Sequence, residues 1–110
     1  MRINYDNREF HPVVNSANGQ VNGDTRFEYK QQGDLLMATY QGGGIRHGQM
    51  VGLILEDDSL DFCYQHLTHA GELRSGRCQS TPERLPDGRV RLHERWQWND
   101  GSSGESIIEE

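Results

Sequence analysis

Residues 25–40 read TRFEYKQQGDLLMATY, and apolar residues alternate with polar ones on both sides of a central Gln32-Gly33 pair. Such alternation is typical of a β-strand with one buried face. A tight turn at Gln32-Gly33 would pair the two flanking segments antiparallel, with Phe27, Tyr29 and Tyr40 on the same face. These residues therefore predict a β-hairpin.

The same pattern continues as far as Asn99. Further two-residue turns are predicted at Gly43-Gly44, Asp57-Asp58, Ala70-Gly71 and Asp87-Gly88. Antiparallel pairing across these turns brings the apolar residues of successive segments onto one face of a sheet. That face is predicted to contain Phe27, Tyr29, Leu36, Ala38, Tyr40, Val51, Leu53, Leu55, Leu60, Phe62, Tyr64, Val90, Leu92, Trp96 and Trp98. Because independent turns agree on one apolar face, the chain is predicted to form an antiparallel meander.

The fold class predicted is all-β, an eight-stranded antiparallel up-and-down meander. The strands are expected near residues 7–14, 25–31, 34–41, 46–55, 60–68, 73–82, 89–98 and 104–110, with turns at Asn18-Gly19 and Asn22-Gly23 after the first. An open sheet would leave Trp96 and Trp98 in water, and each large aromatic side chain so exposed forgoes about 1.5–3 kcal/mol. A dimer could also cover that face. We favour closure into a barrel of the lipocalin or avidin type.

Composition limits the classes of partner. The 110 residues suffice for one domain, residues 1–110, and the net charge of −6 argues against a nucleic-acid partner, which needs a basic surface. No apolar run approaches the roughly 18 residues of a membrane-spanning helix, so no membrane partner is predicted. Residues 1–6 lack the apolar core of a secretion signal, and a cytoplasmic location is expected.

Two cysteines, Cys63 and Cys78, are predicted to face each other across the Ala70-Gly71 turn. Opposed Cα atoms in neighbouring strands lie within bridging distance, so a disulfide is geometrically feasible. Reduced thiols are the preferred interpretation, because no secretion signal is seen.

The predicted register also directs polar side chains into the barrel. These are His47, Gln49, His66, Arg77, Gln79, Thr81, Glu83 and Glu94. One interpretation is a pocket for a small anionic or polar ligand, in which Arg77 and His66 bind the ligand and Glu94 accepts hydrogen bonds. The candidate ligand-binding residues are Tyr64, His66, Arg77, Gln79, Glu94, Trp96 and Trp98. The alternative is an internal ion pair between Arg77 and Glu94 with no ligand.

Neither a metal nor a cofactor is predicted. His93-Glu94 resembles the start of a zinc-protease motif, but that motif needs a second histidine where this chain has Gln97. The chain also has no glycine-rich phosphate-binding loop. On the outer face, the predicted register places Leu35, Met37, Met50, Ile54, Cys63 and Cys78. Such an apolar patch favours a homodimer, although scattered apolar residues are also ordinary on protein surfaces.

Several motifs resemble those of a family of small bacterial proteins. They are Tyr64-Gln65-His66, Gly76-Arg77-Cys78, Leu85-Pro86-Asp87-Gly88-Arg89, Trp96-Gln97-Trp98 and the terminal Ser106-Ile107-Ile108-Glu109-Glu110. Members of that family carry the name N-acetylglutamate synthase, so the resemblance implies acetyl transfer from acetyl-CoA to glutamate. The residues themselves give no support to that activity. The nearest match to an acetyl-CoA loop, residues 41–46, ends in Arg46 and lies in a predicted β-turn.

Three classes of function follow from the sequence. The first is a small-molecule-binding barrel with a partly polar interior. The second is an interaction or structural module whose outer patch carries the function and whose core is inert. The third is the N-acetyltransferase implied by the resemblance. The residues favour a protein that is not an enzyme, and they suggest no catalytic side chains.

Overall fold

Eight antiparallel strands run through the part of the chain that the computed structural model describes, residues 3–15 and 23–110. The strands are β1 (Arg8–Asn15), β2 (Arg26–Gln32), β3 (Leu35–Gly42), β4 (Ile45–Ile54), β5 (Leu60–Thr68), β6 (Leu73–Arg84), β7 (Val90–Trp98) and β8 (Ser103–Glu109). Each strand pairs with the next, and β8 pairs with β1. The predicted eight-stranded meander, closed into a barrel, is therefore confirmed. The turns predicted at Asn18-Gly19 and Asn22-Gly23 involve residues outside the described ones.

The barrel interior contains the core. On β2, β3, β5 and β7 the predicted inward residues are all buried: Phe27, Tyr29, Leu36, Ala38, Tyr40, Leu60, Phe62, Tyr64, Val90, Leu92, Trp96 and Trp98. Phe10 from β1 and Ile108 from β8 complete the ring of apolar side chains. Period-two alternation is thus a reliable guide on these strands, because each has one face in the core and one in solvent.

On β4 the predicted face is wrong. Gly42 pairs with Ile45 across the predicted two-residue turn, but Tyr40 pairs with Gly48, so β4 contains one extra residue. This β-bulge leaves Arg46 and His47 both pointing outward and shifts every later residue of β4 to the opposite face. As a result, Val51, Leu53 and Leu55 are exposed, as are His47 and Gln49, whereas Met50 and Ile54 are buried.

The predicted face of β6 is wrong for a different reason. The β5–β6 loop has three residues instead of two: the Thr68 amide donates to the Glu72 carbonyl and the Gly71 amide to the Thr68 carbonyl. Gly71 has a φ of 88°, which is the left-handed third position of such a loop. The extra loop residue shifts the pairing by one. The residues predicted to face inward, Arg77, Gln79, Thr81 and Glu83, are all exposed, whereas Gly76, Cys78 and Ser80 are buried.

The register shift also separates the two cysteines. Cys63 pairs with Arg77, and Cys78 pairs with Phe62. Cys63 is exposed and Cys78 is buried, and both thiols are free. The prediction that Cys63 and Cys78 face each other is therefore wrong. Because they lie on opposite faces of the sheet, no disulfide can join them without rebuilding one of the two strands.

We expect one thiol to react with Ellman's reagent in the native protein and two in denaturant. Cys63 lies in solvent, whereas burial raises the pKa of the Cys78 thiol well above its usual range and keeps the reagent away from it. The Cys63→Ser variant should show no fast-reacting thiol. Two thiols reacting at similar rates in the native protein would contradict the register of β5 and β6.

Three inward aromatic rings each lie opposite a glycine on the neighbouring strand. The pairs are Tyr40 with Gly48, Phe62 with Gly52, and Tyr64 with Gly76. A Cβ added at Gly48 would collide with the Tyr40 ring, and one added at Gly76 would collide with Tyr64 and with backbone. The glycines therefore provide the space that allows large rings to fit inside a barrel of eight strands.

Residues 3–7 cover one end of the barrel. The Tyr5 hydroxyl donates to the Asp58 carbonyl at 2.6 Å, and the Tyr5 amide donates to Oε1 of Gln31 at 2.8 Å. The Tyr5 ring packs against Tyr29, with the ring centroids 6.4 Å apart. Ile3 and Tyr5 are both buried, so this segment closes the end at which the β2–β3 and β4–β5 loops lie.

Candidate functional site

Glu94 is a carboxylate in the middle of the barrel wall that points into the interior. It lies at the centre of β7, where buried and exposed residues alternate, and its register neighbours are Ser80 on β6 and Ser106 on β8. The Ser106 hydroxyl donates to Glu94 Oε1 at 3.0 Å, and the Ser80 hydroxyl donates to Oε2 at 3.3 Å. The Cys78 thiol lies 4.0 Å from Oε2. Each oxygen of Glu94 thus has a hydroxyl partner on an adjacent strand.

Burial raises the pKa of Glu94 to about 7, although the hydrogen bonds from Ser106 and Ser80 oppose the shift. Within residues 3–15 and 23–110, no arginine, lysine or histidine forms an ion pair with this carboxylate. Near neutral pH both protonation states are therefore populated. The ionised form only accepts hydrogen bonds, whereas the neutral form can also donate one.

Aromatic rings from β3, β5 and β7 meet beside each other in the half of the barrel away from residues 3–7. Trp98 contacts three of them edge-on, with centroid distances of 5.1 Å to Tyr64, 5.4 Å to His66 and 5.8 Å to Trp96. The Tyr40 hydroxyl is hydrogen-bonded to Nδ1 of His66 at 2.8 Å. Edge-to-face contacts of this kind hold rings in fixed orientations, so this cluster forms a preorganised apolar wall.

His66 brings no positive charge to the interior at neutral pH. Burial, assisted by the nearby Arg74, lowers the pKa of His66 to about 4. Arg74 itself lies over the Trp98 ring at 4.2 Å and forms a 3.4 Å ion pair with Asp100. The guanidinium therefore lies at the rim of the barrel, at the outer edge of the aromatic cluster.

Two buried hydrogen-bond donors have no protein partner among the described residues. They are the hydroxyl of Tyr29 and Nε1 of Trp98, and both side chains are almost fully buried. The charge of Glu94 is one of the causes that raise the pKa of Tyr29, so the two groups share the same region. An unpaired buried donor costs about 1–3 kcal/mol, which makes such groups unusual in a core and suitable for binding a ligand's acceptor atoms.

Sequence comparison supplies the family. The model of the avidin-like protein family matches residues 3–110. This chain belongs to the avidin-like family. No curated protein and no solved structure shows significant similarity to it. The resemblance to proteins named N-acetylglutamate synthase is therefore wrong as an identification, because the matching family is an avidin-like one and the structure is an all-β barrel.

The avidin-like barrel brings together five of the seven candidate ligand-binding residues. Its interior contains Tyr64, His66, Glu94, Trp96 and Trp98.

The other two candidates, Arg77 and Gln79, lie on the outer surface because β6 is shifted by one residue. Arg77 forms a 2.7 Å ion pair with Asp61 on the neighbouring strand. Both interpretations that relied on Arg77 inside the barrel, an ion pair with Glu94 and an anion-binding site, are therefore wrong.

Sequence reasoning missed four residues that share the region of Glu94: Tyr29, Cys78, Ser80 and Ser106. Tyr29 was predicted to be an ordinary core residue, and its unpaired hydroxyl depends on distances that no pattern reveals. Ser80 could have been found from the loop residues, because His69-Ala70-Gly71 suits a three-residue hairpin loop with glycine in the left-handed position. With that loop, Ser80 pairs with Glu94 directly.

Residues 3–15 and 23–110 contain neither a candidate metal site nor a candidate membrane-spanning helix. No three histidine, cysteine, aspartate or glutamate side chains lie close enough together to hold a metal ion. Nor does that part of the avidin-like chain contain a helix with the length and hydropathy needed to cross a membrane.

Proposed function

We propose that this avidin-like protein binds a small molecule inside the barrel, between Glu94 and the aromatic cluster around Trp98. The observation that carries the proposal is the pair of unpartnered buried donors, the Tyr29 hydroxyl and Nε1 of Trp98. A ligand with acceptor atoms would complete their hydrogen bonds, and Glu94 would bind an N–H or O–H group of the same ligand. The family supports the proposal, since it binds small molecules such as biotin.

The side chains favour an uncharged polar group at the inner end of the ligand. Among the described residues that line the interior, His66 is neutral at physiological pH, and no arginine or lysine is buried there. An anionic group would gain no ion pair inside, but it could reach Arg74 at the rim. The proposed ligand therefore has a neutral hydrogen-bonding head, a ring or chain that packs on the tryptophans, and polar or anionic atoms at the rim.

Intrinsic fluorescence can test the proposal, because the two tryptophans of the chain, Trp96 and Trp98, are both inside the barrel. Biotin is the first probe, followed by cyclic ureas, lactams and aromatic amides. We expect at least one probe to change the emission saturably and to raise the melting temperature. If neither fluorescence nor melting temperature responds to any probe, the proposal is wrong.

Tyr29→Phe should weaken binding of a responding probe about tenfold, because one hydrogen bond to the ligand is lost. The free variant should be more stable by about 1 kcal/mol, since an unpaired buried hydroxyl is removed. Tyr5→Phe is the matched control. Its hydroxyl is bonded to Asp58 at the covered end, so this variant should lose stability and keep its affinity for the probe. Equal affinity of Tyr29→Phe and the wild type would contradict the assigned site.

Self-association is a second candidate role, favoured by the apolar side chains on the outer face of β3, β4 and β5. The predicted patch needs correction: Met50, Ile54 and Cys78 are buried and Leu35 is half-buried, whereas Met37 and Cys63 are exposed as expected. A homodimer remains a proposal on this surface. The cytoplasmic location expected from the sequence also remains a prediction.

A further inference from the structure

Two surface carboxylates of the barrel are fixed in the ionised state by cationic partners. Asp61 forms a 2.7 Å ion pair with Arg77, and Asp87 forms a 2.6 Å ion pair with Arg89. Hydrogen bonds from these arginines lower the pKa of both carboxyl groups. A carboxylate held in this way accepts hydrogen bonds throughout the neutral pH range and cannot donate one.

Glu94 is held instead by groups that suit either protonation state. Its hydrogen-bond partners within residues 3–15 and 23–110 are the hydroxyls of Ser80 and Ser106 and the thiol of Cys78. A hydroxyl can donate a hydrogen bond to an ionised carboxylate or, after rotation of its proton, accept one from a neutral carboxyl group. Gain or loss of the proton therefore reverses a hydrogen bond without moving a strand.

The titratable side chains packed around Glu94 come from residues 3–7, β2, β3, β5 and β6. In the described interior they are Tyr5, Tyr29, Tyr40, Tyr64, His66 and Cys78. Burial raises the pKa of the four tyrosines and of the thiol, and it lowers that of the histidine to about 4. The described inward residues of β1, β4 and β8 are apolar or carry a hydroxyl. Near neutral pH, Glu94 is therefore the described interior group whose charge changes.

We propose that the protonation state of Glu94 selects the hydrogen-bonding head of the ligand. The ionised carboxylate binds a head with an N–H group, such as a lactam or a cyclic urea. The neutral carboxyl group instead donates its O–H to an acceptor atom, such as the bare ring nitrogen of a lactim ether. This selection rests on the interior site proposed above, and it adds to that site a specificity that reverses with pH.

The direction of each pH effect follows from the coupling of proton binding to ligand binding. A donor head binds the ionised form, so at pH 6 it displaces the proton that the free site holds. An acceptor head binds the neutral form, so at pH 8 its binding takes up a proton. With the pKa of Glu94 at about 7, the affinity for a donor head should rise about tenfold from pH 6 to pH 8. The affinity for an acceptor head should fall about tenfold over the same range.

Two bicyclic probes of similar shape test the selection. 2-Quinolone is a lactam whose N–H lies beside its carbonyl group, and 2-methoxyquinoline is the corresponding lactim ether, with a bare ring nitrogen at that position. Both are uncharged between pH 6 and pH 8. Calorimetric titration of the full chain at pH 6, 7 and 8 should give opposite trends in affinity for the two probes. Buffers of different ionisation enthalpy should show about one proton released with 2-quinolone at pH 6 and about one taken up with 2-methoxyquinoline at pH 8.

Three variants assign these trends to a residue. Glu94→Gln should remove both trends, because the amide does not titrate and offers a donor and an acceptor at every pH. Ser106→Ala should move the midpoint of both trends to higher pH, since it removes a hydrogen bond that favours the ionised carboxylate. Ser59→Ala is the matched control: its hydroxyl donates to Asp57 in the β4–β5 loop, so both trends should match those of the wild type.

The possible failures are distinguishable from one another. Affinities that do not change with pH, with no proton released or taken up, would overturn the selection and leave the interior site intact. Trends that persist in Glu94→Gln would assign them to another group and would also overturn it. Binding of neither probe at any pH would overturn the selection too. The proposed function itself fails only if biotin and the remaining probes also give no response.

Discussion

Replacing Glu94 with glutamine is expected to stabilise the protein above pH 7 and to remove most of the change in its stability between about pH 4.5 and 7. The pKa of Glu94 is raised from 4.5 in the unfolded chain to about 7 in the barrel. The folded state therefore binds the proton more tightly than the unfolded state does. The contribution of this group to stability is fully present below pH 4.5 and is lost as the pH rises to 7.

A shift of this size corresponds to about 3 kcal/mol of stability lost between acidic and alkaline solution. Glutamine has the same shape, cannot ionise and can still hydrogen-bond with Ser80 and Ser106. Urea unfolding at pH 4, 6 and 8 should show the wild type weakening relative to Glu94→Gln as the pH rises. Glu28→Gln, an exposed position on β2, controls for loss of a surface charge. Parallel pH profiles for the wild type and Glu94→Gln would show that Glu94 is not ionising inside the barrel.

Gly52→Ala is expected to destabilise the barrel by about 3 kcal/mol or more, at the upper end of overpacking effects. A Cβ at this position would collide with the backbone carbonyl of Asp61 and with Phe62. These backbone atoms of β5 cannot move aside without breaking the hydrogen bonds between β4 and β5. Gly48→Ala should cost less, because the three atoms nearest its Cβ all belong to the Tyr40 side-chain ring and none to the backbone. Combining Gly48→Ala with Tyr40→Leu should recover part of that loss.

Chemical denaturation of these variants provides the measurement. Gly23→Ala is the control, since a Cβ there meets no described atom within 4 Å, and its unfolding free energy should remain within about 0.5 kcal/mol of the wild type. A Gly52→Ala protein as stable as the wild type would show that β4 and β5 do not approach each other as described. Failure to fold would agree with the expected direction.

The sequence was enough to predict the barrel, because alternation on β2, β3, β5 and β7 depends only on each strand having one buried face. It was not enough for β4 and β6. The bulge at Arg46 and His47 moves the later residues of β4 one position away from the predicted register. The loop of residues 56–58 has three residues instead of the predicted two, and it returns β5 to the predicted face. The three-residue loop before β6 moves its residues to the opposite face from the one predicted. The three-residue loop after β6 reverses that shift, so β7 has the predicted face inward.

The same cancellation explains which part of the site was predictable. Glu94 and Trp98 lie on β7, so their inward direction follows from alternation. Arg77 lies on β6, where one residue of error exchanges the inner face for the outer one. Asp87-Gly88 is a strong two-residue turn signal, yet in the barrel these are the last two residues of a longer loop whose Leu85 amide bonds to Arg89. Local turn chemistry alone does not distinguish the two loop lengths.

The seam between β1 and β8 has a consequence for the kinetics of folding. Every other pair of adjacent strands is consecutive in the chain, whereas the Arg8–Glu110 ion pair joins residues 102 positions apart. Local hairpins form in microseconds, but closing a long loop costs chain entropy before any contact at the seam compensates for it. The transition state for folding should therefore contain an open sheet of paired hairpins in which β1 and β8 have not yet paired. The folding rate is then limited by the pairing of β1 with β8, and this seam gives the closed barrel a higher contact order than an open meander would have.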